Sequence, residues 1–85
     1  MTEPELFTEL AEMVRTVAKL PPELTLTPDS KLIDDLGVDS LDLVGVYLQI
    51  QDRFDVVIDE EDMPTLQNLG DLNRYVARRL PSAAA

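Results

Sequence analysis

Apolar residues recur at helical spacing in three stretches of this chain, with polar residues between them. In the first, Leu6, Leu10, Val14, Val17 and Leu20 fall three and four apart and mark one face of an amphipathic helix. Thr2 and Glu5 have the spacing of a capping box, in which each side chain accepts from the other's backbone amide. Glu3, Glu5, Glu9 and Glu12 precede Arg15 and Lys19, an order that suits the helix dipole. Pro21-Pro22 is the expected stop.

A second helix is predicted from about Ser40 to Phe54. At about 100° per residue, Leu43, Val46, Tyr47, Ile50 and Phe54 gather on one face as a core stripe. Leu41, Val44 and Leu48 gather on another, nearly opposite. A surface helix needs only one apolar face. Either the rest of the chain buries both sides, or the second stripe is exposed and meets partners. The preceding connection, residues 21–39, is long for so small a domain. Thr25, Thr27, Pro28, Asp29 and Ser30 read as turn formers, and Leu24, Leu26, Leu32, Ile33 and Leu36 as apolar anchors over the core.

After Phe54, an acidic stretch followed by Pro64 leaves room for only a helical turn or two near residues 59–63. The last helix starts around Asn68 and carries Leu69, Leu72, Tyr75, Val76 and Leu80 on one side. Arg74, Arg78 and Arg79 lie towards its C-terminus, where the dipole favours cations. No segment alternates with a period of two. The pattern gives an all-α fold of three main helices and one short third helix, forming one domain over residues 1–80 with a flexible tail at 81–85.

The 85 residues carry 7 basic and 17 acidic side chains, a net charge of −10. Nucleic acid is thereby excluded as a natural partner, since its binding needs cationic surface. Basic protein surfaces suit this charge better. The chain has no cysteine and no histidine, which removes disulfides, thiol nucleophiles, imidazole bases and the usual zinc sites. No metal-ligand motif appears. The acidic segments lack the Asp-x-Asp-x-Asp-Gly loop of a calcium site, and only loose cation binding near Asp34, Asp35 and Asp39 stays open. With no membrane-length apolar run and no signal-peptide pattern, a soluble, cytoplasmic monomer without membrane insertion is expected.

Ser40 stands where the long connection meets the second helix. Taken alone it reads as a helix N-cap, because serine is a preferred capping residue. A catalytic nucleophile is a weaker reading, with no histidine to activate the hydroxyl.

The wider setting adds a resemblance. Gly37-Val38-Asp39-Ser40-Leu41, followed by Asp42, is similar to the signature of the acyl carrier protein family. Phe54-Asp55, Ile58, Asp59-Glu60-Glu61-Asp62 and Leu69-Gly70-Asp71-Leu72 follow at that family's spacing without a gap. The likeness runs from about Leu6 to Leu80 and implies a discrete, non-catalytic carrier with the family's helical bundle. It implies a 4'-phosphopantetheine arm on Ser40, taken from coenzyme A, with Asp39 and Leu41 beside it as cofactor-binding residues. A phosphodiester at a helix N-terminus meets free amides and a favourable dipole, which fits that placement.

The resemblance further implies partners: a phosphopantetheinyl transferase, an acyltransferase, a ketosynthase and other acyl-processing enzymes. Asp42, Val44, Leu48 and Asp52 would form the surface they recognise, and Tyr47, Ile50 and Phe54 would line an acyl-chain cavity. Fatty-acid and polyketide-type pathways both use such carriers, and aminoacyl or peptidyl carriers share the serine. An acidic helical interaction module without a prosthetic group is the reading from a different class. Departures from the family pattern are Gly45 in place of glutamate, Gln49, Gln51 and Arg53 in the same helix, and Asp59 where proline is frequent. Close approach of a partner would account for Gly45, and together these departures suggest a specialised pathway.

Overall fold

The computed structural model describes residues 2–80, so the tail expected at 81–85 lies outside the described residues. Helix α1 spans Glu3–Val17, α2 Ser40–Phe54 and α3 Leu69–Arg79, with a short 3-10 helix, Glu60–Thr65, between the last two. Among the described residues there is no strand, and no helix is long and apolar enough to cross a membrane.

Helix α1 begins as its sequence dictates. The Thr2 amide donates to the Glu5 carboxylate at 2.9 Å, and the Glu5 amide donates to the Thr2 hydroxyl at 3.3 Å. Its end differs from expectation. The helix stops at Val17, ahead of the prolines, because Lys19 takes a left-handed conformation at φ 56°. The Leu20 amide then reaches back to the Arg15 carbonyl at 2.9 Å and the Lys19 amide to that of Thr16 at 3.4 Å, a Schellman closure built without glycine.

Leu6, Leu10 and Val14 of α1 meet Val46, Tyr47 and Ile50 of α2 and Leu69, Leu72 and Val76 of α3 in one core. Leu43, Phe54, Tyr75 and Leu80 pack half-buried at its margins. The long connection contributes Leu32, Leu36 and Val38 as buried residues. Ile33, expected as an anchor, is instead 57% exposed, since the turn that seats Leu32 and Leu36 directs it outward.

The same connection closes the N-terminus of α3. The Leu69 amide donates to the Ser30 carbonyl at 3.1 Å and the Gly70 amide to the Pro28 carbonyl at 2.8 Å, satisfying two helix-end donors that have no partner within the helix. Asn68 and Asp71 form a second capping box at that end. Pro64 lies inside the 3-10 helix rather than ending it. That short helix is tied to α3 by Tyr75, whose hydroxyl donates to Asp62 at 2.8 Å and accepts from the Asp59 amide at 3.2 Å. Arg79 pairs with Asp59 and Asp62 and lies over the Tyr75 ring.

Candidate functional site

The approach to Ser40 is a short alternation of buried and exposed residues. Leu36 and Val38 are interior, and Gly37 between them sits at φ +69°, a conformation that side chains other than glycine rarely adopt. The backbone leaves that turn with Asp39 and Ser40 both at the surface. Asp39, not Ser40, is the N-cap of α2: its carboxylate accepts from the Asp42 amide at 2.8 Å. Ser40 is therefore the first residue of the helix proper. The capping duty that sequence assigned to its hydroxyl is filled by its neighbour.

This arrangement suits a phosphodiester on that hydroxyl. Asp39 occupies the Asp42 amide and its carbonyl takes the Leu43 amide. The amides of Ser40 and Leu41 remain outside the helical ladder to face an anion there. Leu41 is 82% exposed and shields nothing.

The second apolar stripe is open to solvent. Val44 is 52% and Leu48 59% exposed, so the connection does not cover them. Asp39 and Asp52 are exposed alongside and Asp42 is half-buried. Among the described residues no three acidic groups gather to hold a metal ion. Asp35 and Asp39 instead accept backbone amides, those of Lys31 and Asp42.

Beside Ser40 a cleft of about 540 Å³ opens between the connection, α2 and the 3-10 helix. Leu43, Val44 and Tyr47 form its α2 wall, and Met63, Pro64 and Leu66 the opposite one. Lys31, Asp34 and Gln67 add polar groups. Of the three residues expected around an acyl chain, Tyr47 lines this cleft, Ile50 lies wholly within the core, and Phe54 sits half-buried at the end of α2. Met63 and Leu66 were not singled out from sequence. They reach the cleft only because the 3-10 helix folds back towards α2, and no periodic signal announces that.

Three of the departures in α2 lie at contacts within the chain. A Cβ on Gly45 would come within 3.3 Å of the Val17 side chain, so the position faces α1, and partner approach does not account for it. Arg53 pairs with Glu9 of α1. The Gln51 side chain accepts from the Ile58 amide at 2.8 Å, tying down the segment after α2.

The family model for the phosphopantetheine attachment site matches residues 8–76. The meromycolate extension acyl carrier protein of Mycolicibacterium smegmatis is 34% identical over 87 aligned positions, covering 99% of this chain and 87% of that protein. An acyl carrier protein of Rhodococcus erythropolis is 32% identical over 77 positions, with 91% and 84% covered. One from Thermotoga maritima is 40% identical over 58, with 68% and 72% covered. The match makes this small bundle a carrier domain bearing covalent 4'-phosphopantetheine. The chain belongs to the acyl carrier protein family.

Proposed function

We propose that Ser40 is the attachment residue and that this chain, itself non-catalytic, carries acyl intermediates between cytoplasmic enzymes of fatty-acyl or polyketide-type synthesis. The observation that carries the reading is the division of labour at the start of α2: Asp39 caps the helix and leaves the Ser40 hydroxyl exposed. When bound, the arm supplies the thiol on which acyl groups ride as thioesters, a sulfur this chain lacks. Asp39 and the amides of Ser40 and Leu41 orient the attachment point. Val44 and Leu48, flanked by Asp42 and Asp52, offer an apolar contact within an acidic surround, matched to basic patches on a transferase, an acyltransferase or a ketosynthase.

The cleft beside Ser40 offers partial shelter to the acyl chain. A lipid-extending pathway is favoured by the relatives named for meromycolate extension. Gly45 and Arg53 add nothing to the choice of pathway, since both face α1. Incubation with coenzyme A and a broad-specificity phosphopantetheinyl transferase, read by intact mass, tests the reading. One added phosphopantetheine is expected on the wild type and none on Ser40→Ala. A folded wild type that stays unmodified would refute it.

A further inference from the structure

The two tyrosines differ in how their hydroxyls are satisfied. Tyr75 both donates to Asp62 and accepts from the Asp59 amide. Tyr47 is only 5% exposed and lines the cleft beside Ser40, yet its hydroxyl has no hydrogen-bond partner among the described residues. Burial pushes its phenol above the usual tyrosine range, which keeps the proton in place. A tyrosine hydroxyl needs a partner or water, and this one is not among the fully buried polar atoms left without a partner, so it reaches solvent. Here the remaining direction is the cleft, whose facing wall, Met63, Pro64 and Leu66, is apolar.

From this we infer that the Tyr47 hydroxyl is a cargo-selecting donor, favouring acyl chains that bear an oxygen along their length over saturated ones. The inference rests on the cleft sheltering cargo. Tyr47 lies seven residues beyond Ser40, two helical turns or about 10 Å along the axis and on nearly the same face. An acyl chain folded back from an arm on Ser40 passes it. Without cargo, solvent in the open cleft satisfies the hydroxyl. A keto or hydroxyl oxygen replaces that water bond for bond, whereas a methylene leaves the donor unpaired. Lys31, Asp34 and Gln67 also reach the cleft but are exposed and stay hydrated, so they discriminate less.

The test compares octanoyl, 3-oxooctanoyl and 5-oxooctanoyl thioesters loaded on the wild type and on Tyr47→Phe, which removes only the hydroxyl. The readout is the rate of thioester exchange with excess free thiol, each relative to the same acyl group on free pantetheine. In the wild type, at least one oxo chain should be protected about five-fold more than octanoyl, the size of one neutral hydrogen bond. In Tyr47→Phe that ratio should fall to near one. Octanoyl protected while neither oxo chain gains in the wild type, or a gain that survives in Tyr47→Phe, would overturn the selection. No protection of any chain would instead overturn the shelter on which it rests. The wild-type comparison stands even if the variant folds poorly.

Discussion

Replacing Asp39 and Ser40 in turn separates the structural duty from the chemical one. Asp39→Ala removes the carboxylate that accepts the Asp42 amide at 2.8 Å. Loss of such a cap costs about 1 kcal/mol, with a range of about 0.5–2. Loss of its charge beside the helix N-terminus adds about 0.3–1 kcal/mol. The net charge of −10 works the other way, because removing one negative charge relieves repulsion. We expect about 1 kcal/mol in total, or a fall in Tm of about 4–8 °C for a domain of this size. Ser40→Ala touches no cap. The residue is exposed in the first turn, where alanine is the better helix former, so stability should stay within about 0.5 kcal/mol and shift upward if at all. Asp39→Asn keeps a capping oxygen and drops the charge, and should fall between the two. Urea denaturation followed by far-UV circular dichroism reads all three, and intact mass after treatment with coenzyme A and the transferase reads modification. Ser40→Ala destabilised as much as Asp39→Ala would show that the serine holds the helix end and would undo the argument from its freedom.

Two helical glycines should respond in opposite directions to alanine. At Gly70 the new Cβ would meet the Pro28 carbonyl oxygen at 3.0 Å and the Pro28 Cβ at 3.2 Å, against the backbone whose oxygen accepts the Gly70 amide, so Gly70→Ala should lower stability by about 1–3 kcal/mol in urea titration. At Gly45 the contact is a single methyl of Val17, half-buried at the end of α1 and able to yield, so Gly45→Ala should gain up to about 1 kcal/mol from helix propensity. The third prediction concerns pH. The Thr2 amide and hydroxyl hold the Glu5 carboxyl below its ordinary value, so the unfolded chain takes up this proton first. The contribution of the capping box is thus present above the ordinary glutamate pKa of about 4.3 and is lost as pH falls through the lower folded value. The amide NMR signals of Thr2 and Glu5 should lose their capped shifts at the low-pH end of that window, and Glu5→Ala should abolish the titration.

Periodicity made the three main helices legible, because each buries one stripe and its spacing records the fact. Helix ends were less legible. Asp39 and Ser40 are both good capping residues, and only the burial of Val38 after the Gly37 turn decides which of them stands outside the helix. At the end of α1, Pro21 is the visible stop, but a left-handed Lys19 acts two residues earlier and has no sequence mark as plain as glycine. In the connection, Ile33 and Val38 are equally apolar, yet one is exposed and the other interior, since loop residues follow no fixed period. The exposed stripe of α2 was visible as a pattern, but its exposure depends on what the connection covers. The cleft was not legible, because its walls come from segments whose meeting depends on the tertiary fold.

The exposed stripe is also what makes transient docking intelligible. Leu41, Val44 and Leu48 are three side chains, far less than the roughly 800 Å² per partner of a stable interface. In the proposed docking role they would give register and a modest apolar contribution while dissociation stays fast. The 17 carboxylates supply what small area lacks, since long-range attraction to a basic surface raises the rate of encounter without slowing release in proportion. Their mutual repulsion also opposes self-association through the three exposed apolar residues. A carrier must leave every enzyme it visits, so a small apolar contact in a strongly acidic surround serves it better than a larger one. That the open face lies on α2, the helix that begins at Ser40, follows from α1 packing against its other side, so the proposed arm and the proposed docking stripe share one element and would enter a partner together.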